Sequence, residues 1–134
     1  LQGEPFAPTA PAAALAAGVS TVYQEPAVFG HLSVQENLHI GRQPRTRFGS
    51  IDRGKVAQQS VALLESLGLP GAMARRRMDS LSLAEQQQVL IARTVADQAK
   101  VLILDEPTSI LTDAEADELF RIVDQLSAAG TAVL

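Results

Sequence analysis

Cysteine and tryptophan are both absent from the 134 residues. Without cysteine there is neither a disulfide framework nor a thiolate metal site. Aromatic residues make up 4% of the chain against 46% hydrophobic residues, so the core has to be aliphatic, built from Leu, Val, Ile and Ala. No apolar run approaches the roughly 20 residues that a membrane span requires. Residues 7–18 are rich in Ala and Pro, but no charged stretch precedes them as in a signal peptide. Basic residues are in the minority, 11 against 15 acidic, and the formal net charge is −4. That balance argues against nucleic acid as a partner, because phosphate backbones need clustered Lys and Arg. The basic residues that do cluster are Arg42, Arg45, Arg47 and Arg53, and then Arg75 to Arg77. They fall in predicted loops and helix ends and read as solvated surface.

What is present fits one domain, long enough to bury a core. Residues 1–18 carry Pro5, Pro8 and Pro11 and an Ala-rich helical turn ending near Gly18, and Val19 to Tyr23 read as a short strand leading to Gln24. Ser33-Val-Gln-Glu36 has the form of a capping box, in which Ser and Glu satisfy each other's free backbone N–H groups. Residues 41–50 read as a loop. Val56, Val61, Leu64 and Leu67 recur at helical spacing and Gly68 closes that helix. Residues 69–80 are a second predicted loop, and a further helix starts at Ser82. Val101 to Leu104 form a buried strand. Thr112-Asp-Ala-Glu115 is another capping box, opening a helix with Leu119, Ile122, Val123 and Leu126 on one face and Gly130 as its stop. Thr131 to Leu134 begin one more strand. Helices alternating with strands after residue 81 favour a parallel α/β sheet, with residues 33–97 as a mostly helical insertion.

The strand at 101–104 ends on Asp105 and Glu106. In open parallel sheets ligands and metals sit at the carboxyl ends of strands. One carboxylate there can hold Mg²⁺, whose preferred ligands are hard oxygens, and its neighbour can orient or deprotonate a water. Gln24 likewise follows a strand, where its amide can reach a metal ion or the attacking water. Ser82 to Glu85 form an N-cap, and a helix N-terminus suits a phosphate. Gly49-Ser-Ile-Asp-Arg-Gly54-Lys55-Val56 nearly matches a phosphate-binding loop. Val56 offers no hydroxyl to Mg²⁺, however, and no buried strand precedes the segment. It reads as a loop and helix start. His31 and His39 are isolated and read as surface or core residues.

Four of these segments resemble, in order, the motifs of the ATP-binding subunits of ABC transporters. Val22-Tyr23-Gln24-Glu25 resembles the Q-loop, and Leu81-Ser-Leu-Ala-Glu-Gln-Gln87 a variant signature motif. Val101 to Pro107 resembles Walker B with its catalytic glutamate, and Ser109-Ile-Leu-Thr112 the D-loop. The resemblance implies a partial P-loop NTPase fold of α/β class, with a helical subdomain inserted into an incomplete parallel sheet. The single domain, 1–134, would divide into core-sheet parts at 1–24 and 98–134 and a mostly helical subdomain at 25–97. It implies ATP and Mg²⁺ as cofactors, with Asp105 and Gln24 at the metal and Glu106 and Gln24 acting on the attacking water. Ser82, Leu83, Ala84, Glu85 and Ser109 would contact nucleotide. Where the usual signature has two glycines and a glutamine, this chain has Leu83, Ala84 and Glu85, which points to a weakened half-site.

The variant signature and the run Pro107 to Glu115 look most like importers of monosaccharides such as ribose, xylose or galactose, in the first of their two ATPase domains. The implied partners are membrane permease subunits and a second ATPase domain, with no nucleic acid. The implied location is the cytoplasmic face of the inner membrane. The family's Walker A loop would precede Leu1 and its switch histidine would follow Leu134. The expectation is therefore an excised middle segment that does not itself bind or hydrolyse ATP. The strands at 19–23, 101–104 and 131–134 would pair as a three-stranded parallel core whose open edge invites self-association. Two other readings stay open: a non-enzymatic module docking on a permease, and an ABC-type ATPase outside transport.

Overall fold

Among the residues described by the computed structural model (7–23, 28–106, 108 and 111–134) the chain forms five α-helices and three strands. In chain order these are α1 (Pro11–Ala16), β1 (Val19–Val22), α2 (Val34–Leu38), α3 (Arg53–Ser66), α4 (Leu83–Ala96), β2 (Val101–Leu104), α5 (Asp113–Ala128) and β3 (Ala132–Val133). The sheet is parallel in the order β1-β2-β3, with Val19 opposite Val101 and Val101 opposite Ala132. Helix α5 is the crossover from β2 to β3, and α4 packs against both α5 and β1. The fold class is thus α/β, as the alternation of patterns predicts.

Local chemistry accounts for the element ends. Helices α2, α4 and α5 each open on a complete capping box, Ser33 with Glu36, Ser82 with Glu85 and Thr112 with Glu115. Helix α3 opens on Asp52, whose Oδ1 accepts the Lys55 N–H at 2.9 Å. At its other end Gly68 takes φ +74°, the Leu69 N–H reaches the Leu64 carbonyl at 2.9 Å, and Leu64 and Leu69 are both buried. That is a Schellman turn with its apolar clasp. Helix α4 ends the same way, with Ala99 N–H on the Thr94 carbonyl, but Gln98 occupies the left-handed position at φ +53°. The core is aliphatic as composition requires, with Leu38, Leu64, Met78, Ile91, Leu102, Leu119 and Ile122 fully buried.

Two expectations are corrected. Residues 69–80 are not a simple loop but carry two short 3₁₀ helices, Gly71–Arg75 and Met78–Ser80. Met73, Ala74 and Met78 are buried there, and a buried backbone must find partners. Part of it pairs with the start of α2, through Val34 N–H to Arg76 carbonyl and Met78 N–H to Leu32 carbonyl. Nor are the clustered arginines all solvated surface. Arg42 donates to the Leu38 carbonyl at 2.8 Å and the Arg93 carbonyl at 3.2 Å, and it pairs with Asp97. It ties the end of α2 to the end of α4. Arg76 pairs with Glu85 at 2.7 Å, and Arg77 pairs with Asp79. His39 is a core residue, and burial pushes its pKa down, with the Arg42 charge adding to the effect.

Candidate functional site

The carboxyl end of β2 presents the two carboxylates. The Asp105 N–H donates to the Val22 carbonyl at 3.1 Å, so the β1–β2 ladder runs to the very rim where the pair stands. Both residues are exposed. Glu106 has φ +45°, a left-handed conformation that costs a residue with a Cβ about 1–2 kcal/mol. Strain of this kind concentrates at functional sites, where the surrounding fold over-determines it.

The donor set is informative about a metal. Among the described residues no group of three His, Cys, Asp or Glu side chains could cage an ion. Adjacent exposed carboxylates instead suit Mg²⁺, which takes one or two protein carboxylates and completes its shell with water and phosphate oxygens. The residues present fit that ion.

Gln24 and Ser109 lie outside the described residues. The positions flanking the Gln24 segment, however, are held by two buried amides. Gln87, 1% exposed on α4, donates from Nε2 to the Tyr23 carbonyl at 3.5 Å. Asn37, 3% exposed on α2, accepts the Phe29 N–H at Oδ1 (2.9 Å) and donates from Nδ2 to the carbonyls of Phe29 (3.1 Å) and Ser33 (3.0 Å). Nothing in the linear pattern singles out Asn37. The usable signal is an amide placed on the apolar side of a helix, between Val34 and Leu38.

The start of α4 gathers the remaining candidates. Ser82 Oγ accepts the Glu85 N–H at 3.2 Å, and Glu85 Oε2 accepts the Ser82 N–H at 2.8 Å. Glu85 Oε1 takes Arg76 Nη1 at 2.7 Å. The Glu85 charge is therefore countered within the fold rather than aimed bare at a ligand. Leu83 is exposed, whereas Ala84 is buried. Ser82, Ala84 and Glu85 line a cleft of about 230 Å³ together with Glu115 and Glu118 of α5. Asp105 and Glu106 are not among its walls.

Comparison with known proteins is consistent across sequence and structure. The family model described as ABC transporter matches residues 1–109. The ribose import ATP-binding protein RbsA of Rhodococcus jostii (strain RHA1) is 41% identical over 133 residues, covering 98% of this chain and 26% of the relative. Ribose import ATP-binding protein RbsA 2 of Streptomyces avermitilis is 43% identical over 137 residues, covering 100% and 26%. The chain thus spans about a quarter of the length of the curated relatives it matches. An ATP-binding cassette of an ABC transporter in its ADP conformation superposes with a TM-score of 0.74 at 25% identity, over 92% of this chain and 52% of that one. A dimeric cassette in a post-hydrolysis state with ADP and Pi gives 0.66 at 23% identity, over 86% and 50%, a likeness of fold.

Proposed function

The chain belongs to the ABC transporter family, and from that premise we propose that it is the part of an ATP-hydrolysing import subunit that carries the metal-binding and water-activating carboxylates. The observation that carries this reading is the Asp105–Glu106 pair, exposed at the end of the central strand of a parallel sheet. Asp105 holds the ion, and Glu106 orients the attacking water and takes its proton. Magnesium, when bound with ATP, neutralises charge on the phosphate oxygens. Gln24 assists at the metal and the water. Ser82, Leu83, Ala84 and Glu85 contact nucleotide, joined by Ser109. The cargo is a monosaccharide of the ribose type, a reading supported by the ribose import relatives. The partners are a membrane permease and a second ATPase domain, at the cytoplasmic face of the membrane.

This chain alone does not bind Mg-ATP tightly. The near-match at Gly49 to Val56 is a turn followed by the first turn of α3, and its Lys55 N–H is already taken by Asp52. Isothermal titration of the 134 residues with Mg-ATP should show no micromolar binding, and micromolar affinity would sink this statement. Within a subunit of the relatives' length, Glu106→Gln should lower ATP turnover by about 10²-fold or more while nucleotide binding persists. Unchanged turnover would overturn the assignment of Glu106.

A second reading, a docking module for the permease, is favoured by one observation. A cavity of about 200 Å³ between α2 and α3 is lined by Leu32, Ile40, Ile51 and Val56 and, on its polar side, by Gln35, Glu36, Gln43 and Arg53. Ile51→Asp, at an exposed wall of the cavity, should abolish permease capture and leave Mg-ATP chemistry of the longer subunit intact if docking is the chain's own task. Capture that survives Ile51→Asp counts against it.

A further inference from the structure

The segment 45–55 combines features that the reading above does not use. Arg45, Arg47, Arg53 and Lys55 are all exposed, and Asp52 is the one acidic residue among them. The segment therefore carries three net positive charges in a chain of net charge −4, which leaves −7 on the rest. It is an ordered turn. Arg45 and Ile51 form an antiparallel bridge, the Thr46 N–H donates to the Ser50 carbonyl at 2.8 Å, and Arg45 Nη1 donates to the Gly49 carbonyl at 2.6 Å.

At the tip stands Phe48, 82% exposed, the most exposed of the chain's large apolar side chains described, with the Arg47 guanidinium 4.6 Å from its ring centroid. Apart from the Arg53 charge, which helps to hold the Glu36 carboxyl below its ordinary value, folding gains little from this arrangement. Arg53 and Lys55 lie in the first turn of α3, where the helix dipole disfavours cations, and no acidic residue occupies that turn. The carboxylate of Asp52 is engaged by the Lys55 N–H. The other basic cluster is different in kind, since Arg76 and Arg77 are each paired with a carboxylate.

We propose that the 45–55 turn is a contact surface for anionic phospholipid headgroups, with Phe48 entering the interfacial layer and Arg45, Arg47, Arg53 and Lys55 facing the phosphates. The turn exposes Phe48 and, to a lesser degree, Ile51 on a segment with four exposed cations, and that combination suits a planar charged interface. Four cations and one ring make a weak, salt-sensitive contact that orients a protein already held near a membrane. The inference stands independently of whether Glu106 activates water.

The test is co-sedimentation of the 134-residue chain with vesicles of phosphatidylcholine alone or mixed with phosphatidylglycerol. Binding is expected only to the mixed vesicles and should weaken steeply as salt approaches 0.5 M. Arg47→Glu and Phe48→Ser, both at solvent-exposed positions, should each lower partitioning on the order of tenfold. Arg75→Glu, the same charge reversal outside the turn, should leave it unchanged. Absence of binding at low salt overturns the proposal, as does equal loss with Arg75→Glu, which would make net charge the sole cause.

Discussion

At the starts of α2, α4 and α5 a glutamate folds back onto its own helix, whereas at the end of β2 two carboxylates reach solvent. Glu36, Glu85 and Glu115 each accept the N–H of their N-cap residue, at 2.8, 2.8 and 2.9 Å, and Glu85 is further paired with Arg76. Asp105 and Glu106 lie among backbone that is fixed, by the Asp105 N–H on Val22, but their side chains stay exposed. The conformational cost is opposed as well. The N-caps are extended and relaxed, while Glu106 sits at φ +45°. Carboxylates of the first group complete the fold, and those of the second are left for something outside it.

The largest effect should come from the platform beneath the open pair. Leu102 is fully buried in the central strand, three residues before Asp105. Leu102→Ala should cost about 2–5 kcal/mol in urea denaturation, transfer and cavity together. A cost under 1 kcal/mol would show that the sheet does not support the rim. Asp105→Ala, by contrast, should change stability by no more than about 0.5 kcal/mol, because it removes an exposed side chain.

The closed group comes next. Ser82→Ala leaves the Glu85 N–H without its acceptor and should destabilise by about 1 kcal/mol, with Ser82→Gly costing only a few tenths. If Ser82→Ala were as silent as Asp105→Ala, the distinction between closed and open ends would collapse.

How much of this was legible in the sequence follows from the range of each interaction. The three capping boxes span three residues each, and the helix stops at Gly68 and Gly130 are equally local, so the pattern predicts them and the structure has them. The strands at 19–22 and 101–104 and their parallel pairing follow from apolar runs separated by helices. Arg42 is different, since its partners Arg93 and Asp97 lie more than fifty residues away and no periodicity encodes that approach. The 3₁₀ helices at 71–80 are too short for a periodic signature and form because Met73 and Met78 are buried. At the site, the place of Asp105 and Glu106 was readable, whereas the positive φ of Glu106 and the Arg76–Glu85 pair were not. Both depend on how the chain turns in space.

Among the described residues two with a Cβ hold left-handed backbone, Gln98 and Glu106, and they offer a matched pair. Gln98 closes α4 where glycine closes α3 and α5, so Gln98→Gly should stabilise the chain, by up to about 1 kcal/mol. Glu106→Gly should give a similar gain in thermal denaturation while removing the carboxylate on which the proposed chemistry rests. Gain at Gln98 without gain at Glu106 would mean that the Glu106 side chain contributes to the fold and is not held against its conformational preference.

The smallest effect lies in the acid range and separates the two groups by titration. Hydrogen bonds from the Ser33 hydroxyl and then its backbone N–H hold Glu36 below its ordinary value of 4.5, and those from the Thr112 backbone and hydroxyl do the same for Glu115. Such groups bind fewer protons folded than unfolded. Their contribution is complete above pH 4.5 and fades as pH falls through the lowered folded values. Carboxyl ¹³C titration by NMR should place the midpoints of Glu36 and Glu115 below 4.5, and Ser33→Ala should move Glu36 back toward it without moving Glu115. Midpoints at or above 4.5 for both would show that the boxes are open in solution, and that the starts of the helices are no more closed than the end of β2.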